Sequence, residues 1–198
     1  MARKLLPLDH VLIPATAQKV FDGELFAVYQ WAQEQFDGST KTFEMLKRPD
    51  TMQIIVVQNN QVLLVDDTQP GRGTRRHFPG GRVDENEEWL AAAQRELREE
   101  TGLTCSQWQL VHVAQPLNKI EWFTTVYVAS DITQQQPPST DEGGEKIIMH
   151  WQDFAATRSQ IMSGELPALD HLQSFFSRIT AVDQLLDLPE CTGIEVNR

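Results

Sequence analysis

The stretch from Gly81 to Leu103, GRVDENEEWLAAAQRELREETGL, constrains this chain more than any other part of it. It follows Phe78-Pro79-Gly80-Gly81, a run that neither continues a strand nor opens a helix, so the backbone must loop there. Asp84 is the expected N-cap, and Glu87, three residues later, completes a variant capping box. From there to Thr101 no Pro or Gly intervenes, Ala91 to Ala93 favour helix, and Gly102 stands where a helix C-terminal glycine belongs. The pattern predicts a helix from about Asn86 to Thr101. At about 3.6 residues per turn, Leu90, Ala93 and Leu97 share an inward stripe, while Glu96, Glu99 and Glu100 cluster on one face.

Three carboxylates on one face repel one another unless a cation sits among them. Hard divalent ions take oxygen ligands, and Mg2+ shares its shell between carboxylates, waters and substrate phosphates. The cluster therefore reads as a Mg2+ platform for phosphoryl chemistry, with Mn2+ as substitute, rather than as a solvated acidic face. Spacing decides between the two. The stretch resembles the signature box of the Nudix hydrolases: Gly, five residues, Glu, seven residues, then Arg-Glu-U-x-Glu-Glu-x-Gly-U, with U aliphatic. Gly81, Glu87, Arg95, Glu96, Leu97, Glu99, Glu100, Gly102 and Leu103 fill it without a mismatch.

The resemblance implies an α/β/α sandwich with a mixed sheet, and hydrolysis of a nucleoside diphosphate linked to another group by attack of water on phosphorus. By the motif, Glu96 and Glu100 are metal ligands, Glu99 contributes directly or through water, and the Gly80 carbonyl completes the site. Arg95 and Glu87 hold the acids in place. In the sugar-nucleotide branch of the family the catalytic base comes from a loop outside the box. Asp141, Glu142 and Glu145 are the candidates here, with Glu142 preferred and Glu145 as a further ligand. The alternatives are a nucleoside triphosphate pyrophosphatase, an RNA-end hydrolase, and a non-catalytic binding module of the same fold.

The remaining chain is consistent with one α/β domain. Phe26 to Gln33 and Thr40 to Lys47 flank the turn Phe36-Asp37-Gly38-Ser39 and predict a hairpin, which Arg48-Pro49-Asp50 ends. Residues 1–48 thus form an N-terminal β element and 49–198 the catalytic domain. This β element resembles that of ADP-ribose and nucleotide-sugar pyrophosphatases, where it mediates a swapped homodimer. Met52 to Gln58 and Val62 to Val65 are strands joined at Asn59-Asn60, and Gln69 to Thr74 reads as a flexible loop. Gln109 to Ala114, Trp122 to Ala129 and Lys146 to Trp151 are further strands. Gln134 to Gly144 is polar and rich in Pro and Gly, which predicts a mobile loop. Asp153 to Ser163 and Ala168 to Thr180 are helical, and residues 1–25 and 181–198 lack pattern.

Net charge is −11. Through Arg82 there are 10 basic and 9 acidic residues, and afterwards 7 and 19, so the surface disfavours nucleic acid and anionic membrane. The basic island Arg72, Arg75, Arg76 and His77 precedes the box and is positioned to face phosphates. Arg48, Arg72, Arg76 and Trp31 are the candidate substrate contacts, and Phe43 and Trp122 are further aromatic surfaces for a base. Pro116 lies fourteen residues beyond Gly102, close to a proline that marks ADP-ribose pyrophosphatases. No apolar run reaches the length of a membrane span. Cys105 and Cys191 lack metal or redox spacing and read as reduced thiols of a cytoplasmic protein.

Overall fold

The computed structural model describes residues 3–139, 144 and 146–197. Its strands in chain order are β1 (Arg3–Leu6), β2 (Gln18–Asp22), β3 (Ala27–Glu34), β4 (Thr40–Lys47), β5 (Thr51–Gln58), β6 (Gln61–Gln69), β7 (Gly73–His77), β8 (Leu103–Ala114), β9 (Ile120–Glu121), β10 (Thr124–Gln135), β11 (Lys146–Asp153) and β12 (Ile194–Asn197). Helices are α1 (Trp89–Thr101), α2 (Phe154–Ser163), α3 (Gln173–Phe176) and α4 (Val182–Leu186), with a 3-10 segment, Pro167–Leu172, before α3.

The central sheet runs β11-β6-β5-β10-β8, with β7 hydrogen-bonded to the far half of β6. β10 lies parallel to β5 and antiparallel to β8, so the sheet is mixed. Both faces are apolar because side chains alternate along each strand. Met52, Ile54 and Val56 of β5 point to Trp89, Ala92, Ala93 and Leu97 of α1. Ile55 and Val57 point the other way, to Phe154 and Ile161 of α2 and to Leu169, Leu172, Phe175 and Phe176 beyond it. Each fully buried large side chain is worth about 1.5–3 kcal/mol, and two such layers on one sheet make the expected α/β/α sandwich.

Asn59 and Asn60 have φ of 49° and 63° and form the tight β5–β6 turn. The N-terminal hairpin forms from β3 and β4, with β2 on one edge and β9 on the other. β1 pairs with β12, placing Leu6 opposite Ile194. Among the described residues no helix is long and apolar enough to cross a membrane.

Several expectations are corrected. α1 starts at Trp89 rather than Asn86, because Asn86 has a φ of 63° that no helix accepts. Glu88 is the N-cap, without a side-chain capping hydrogen bond; Asp84 and Glu87 instead close a turn, with the Asp84 N–H donating to Glu87 Oε2 at 3.1 Å. Trp89 takes the inward place assigned to Leu90, which is 39% exposed. The Gln69–Thr74 segment is a short turn into β7, a polar strand without an apolar face to announce it. β10 runs on to Gln135, into the predicted loop. Ala168–Thr180 is a 3-10 segment followed by a single α turn.

Candidate active site

The site is assembled where Phe78–Val83 leaves β7 and runs beside the start of β5. The Met52 N–H donates to the Gly81 carbonyl at 3.0 Å, the Ile54 N–H to the Pro79 carbonyl at 2.8 Å, and the Val83 N–H to the Asp50 carbonyl at 2.9 Å. Backbone alternation then turns the N–H and carbonyl of Gly80 away from β5, toward α1. The Gly80 N–H donates to Glu100 Oε2 at 3.0 Å. Gly80 has a φ of 151°, and a Cβ there would lie 2.1 Å from the Met52 carbonyl oxygen. At Gly81 a Cβ would lie 2.4 Å from the Glu96 carboxyl carbon. Two glycines thus let the turn press against both the sheet and the carboxylates of the helix.

Arg95 organises the acids. Its Nε and Nη2 donate to Glu87 Oε1 and Oε2 at 3.0 and 2.9 Å. Nη1 reaches Glu96 Oε1 at 2.9 Å and Glu99 Oε2 at 3.2 Å, and Nη2 also bonds the Arg82 carbonyl at 3.0 Å. The hydrogen bond from Arg95 holds the Glu87 carboxyl below its ordinary range, and the same bond raises the pKa of the Arg95 guanidinium. Glu96 behaves oppositely: burial pushes its carboxyl upward, and the Arg95 bond only partly offsets this. With its side chain 16% exposed, Glu96 is an under-compensated anion, the condition that a bound cation relieves.

The helix starts where it does because Trp89 is pinned. Its indole Nε1 donates to Asp50 Oδ2 at 3.0 Å, and the Phe123 N–H donates to Asp50 Oδ1 at 2.9 Å. Asp50, 6% exposed, therefore ties the helix start, the glycine turn and the entry to β10 together.

Beside the glycine turn lies a cavity of about 460 Å³. Its wall includes Gly80, Gly81 and Arg82 from the turn, Arg72, Arg75 and His77 from the β6–β7 hairpin, Pro116 from the β8–β9 connection and Trp122 from the β9–β10 connection. Three of the four residues of the basic island thus reach it. Arg76 does not: it faces the other side of β7, where Nε and Nη2 bond Asp66 at 2.7 Å each. Arg48 lies behind the wall, its guanidinium 4.6 Å from the ring centre of Trp122. Trp31 sits on the N-terminal sheet against Phe43, with ring centres 4.9 Å apart, and neither lines the cavity. Asp141, Glu142 and Glu145 lie outside the described residues. Asp67, Gln69 and His171 also line the cavity and were not singled out from the sequence. The first two continue the period-2 face of β6 past Val65, where the apolar signal stops.

A model of the family described as the NUDIX domain matches residues 47–170. The chain belongs to the Nudix family. It is 28% identical over 100 residues to the 8-oxo-dGDP phosphatase NUDT18 of Danio rerio, covering 50% of this chain and 30% of that protein. It is 25% identical over 122 residues to the methanol dehydrogenase activator of Bacillus methanolicus, covering 60% of this chain and 66% of that one. The chain thus spans less than two thirds of the length of either relative. A solved ADP compounds hydrolase superposes with a TM-score of 0.61 over 85% of this chain and 97% of its own, at 17% identity, a likeness of fold.

Nudix hydrolases use divalent metals, and the donors here fit one chemically: three carboxylates and a backbone carbonyl, all hard oxygen. Among the described residues no three His, Cys, Asp or Glu side chains already converge into a coordination sphere. Arg95 engages Glu96 and Glu99, and Glu100 accepts from Gly80.

Proposed function

We propose that this Nudix protein hydrolyses the pyrophosphate bond of a nucleoside diphosphate derivative, with ADP-ribose or another nucleotide sugar as its substrate class and Mg2+ as its cofactor, Mn2+ substituting. The observation that carries the reading is the position of the cavity. A volume of about 460 Å³ walled by Arg72, Arg75, Arg82 and Trp122 opens directly beside Gly80 and Gly81, which touch Glu100 and Glu96. Arginines suit a diphosphate, and Trp122 offers a ring for a base or sugar face.

In this scheme Glu96, Glu100 and the Gly80 carbonyl hold the cation, and Glu99 joins them directly or through water. When bound, the cation offsets charge on the non-bridging phosphate oxygens and lowers the pKa of its water. Arg95, anchored on Glu87, keeps Glu96 and Glu99 oriented. Arg72 and Arg82 bind the diphosphate from the cavity side, Arg48 acts through the ring of Trp122, and neither Arg76 nor Trp31 is given a substrate contact. Glu142 serves as the base for the attacking water, and Glu145 as a further ligand. Glu142→Gln tests the first role, since unchanged turnover removes it from the mechanism.

A second reading is favoured by one relative's name: oxidised nucleoside diphosphates such as 8-oxo-dGDP enter the same cavity. Hydrolysis of ADP-ribose, ADP-glucose, 8-oxo-dGDP and dNTPs with Mg2+ separates the two, and silence across the panel favours a binding module. We further propose a cytoplasmic homodimer formed through the N-terminal sheet, which a monomer mass in light scattering would exclude.

A further inference from the structure

We infer that Asp67 and His77 form a specificity subsite that holds a neutral hydrogen-bond donor of the substrate, a sugar hydroxyl. The inference deepens the hydrolase reading and rests on it. β6 and β7 pair with Val65 opposite His77, Asp67 opposite Arg75 and Gln69 opposite Gly73. Asp67, Gln69, Arg75 and His77 therefore share one face of the hairpin, and all four line the cavity. The opposite face is already paired within the protein, since Asp66 binds Arg76 twice and accepts from His150 Nε2 at 2.9 Å.

Asp67 is 13% exposed at its side chain. Its Oδ2 accepts from Gln69 Nε2 at 2.9 Å and lies 3.6 Å from His77 Nε2. Its Oδ1 is buried and has no hydrogen-bond partner, a costly state for a carboxylate oxygen. Thr125, 1% exposed, lines the same cavity and carries another unpartnered buried oxygen. His77 defines what can join Asp67. Its Nδ1 is 2.7 Å from the Phe78 carbonyl oxygen, and a carbonyl only accepts, so Nδ1 carries the proton. When the ring carries only that proton, Nε2 is left as an acceptor beside the carboxylate. Two adjacent acceptors select donors and repel anions. The diphosphate is thereby directed to Arg72 and Arg82, and the neutral end of the substrate to Asp67. Adjacent acceptors suit the neighbouring hydroxyls of a sugar, as carboxylates do in dinucleotide sites; the amino group of a base shares the donor chemistry.

The test measures KM and kcat for ADP-ribose, its analogue lacking hydroxyls on the distal ribose, and the inosine counterpart, in wild type, Asp67→Ala and the near-isosteric Asp67→Asn, with thermal melts confirming the fold. A hydrogen bond to a charged group corresponds to a discrimination of about 10- to 100-fold. Wild type should favour ADP-ribose over the deoxy analogue by this factor. Asp67→Ala should lose it through KM, with kcat little changed and the deoxy analogue unaffected, and Asp67→Asn should fall between. Loss of discrimination against the inosine compound instead assigns the same subsite to the base amine. Equal losses on all three substrates, or none, overturn the subsite while leaving the hydrolase reading intact. No hydrolysis of any of the three by wild type overturns the hydrolase reading, and the subsite with it.

Discussion

Replacing Gly81 by alanine separates the shape of the site from its charge. A Cβ there would lie 2.4 Å from the Glu96 carboxyl carbon and 2.5 Å from each of its oxygens, whereas ordinary contact needs at least about 3.4 Å. Gly81 has no left-handed backbone to strain, so the whole cost is steric and falls on one carboxylate, which must retreat by about 1 Å. A misplacement of that size costs roughly 100-fold in rate. Overpacking beside a partly flexible side chain costs only about 1–3 kcal/mol of stability. Gly80→Ala provides the contrast, because its Cβ would meet the Met52 carbonyl oxygen at 2.1 Å, on backbone that cannot move aside, at a φ of 151°. Urea denaturation and steady-state hydrolysis, run on both variants, should show Gly81→Ala folded but slow and Gly80→Ala chiefly destabilised. A Gly81→Ala protein with wild-type kcat would refute the assignment of Glu96 to the reacting centre.

Asp50→Ala removes the acceptor of Trp89 Nε1 and of the Phe123 N–H and should lower stability by about 3 kcal/mol, read as a shift of the urea midpoint at constant slope. The Arg76 guanidinium and then the charge of His150 hold the Asp66 carboxyl below its usual range. A lowered folded value means that this stabilisation is complete above the unfolded value of about 3.9 and is lost as pH falls through the folded one. Asp66→Asn should accordingly flatten the acid limb of the stability curve. Mg2+ at about 100 times its dissociation constant should stabilise the fold by about 2.7 kcal/mol, and Glu100→Gln should abolish the rise in melting temperature.

The helix and its acids were legible because their spacing is local: Gly81 to Leu103 carries its own turn, its C-cap and its polar face. The helix start was misplaced because the residue that sets it, Asp50, lies 39 positions from Trp89 and no local rule pairs them. β7 and the outer half of β6 escaped for a related reason. Thr68, Thr74 and Asp67 form a polar ladder whose strand character comes from pairing rather than apolar alternation. The β1–β12 pair joins the two ends of the chain, and such contacts leave no mark in a local window. Arg72 and Arg76 look equivalent in the string RGTRRH, yet their separation along the hairpin sends one to the cavity and turns the other onto Asp66.

The most direct test of the central claim is AMP release from ADP-ribose by the purified protein with Mg2+, beside Glu100→Gln and a metal-free control. The account predicts turnover that needs the metal and falls by several orders of magnitude in the variant, whose melting temperature without metal stays near that of wild type. Turnover without metal, or undiminished in Glu100→Gln, would contradict it.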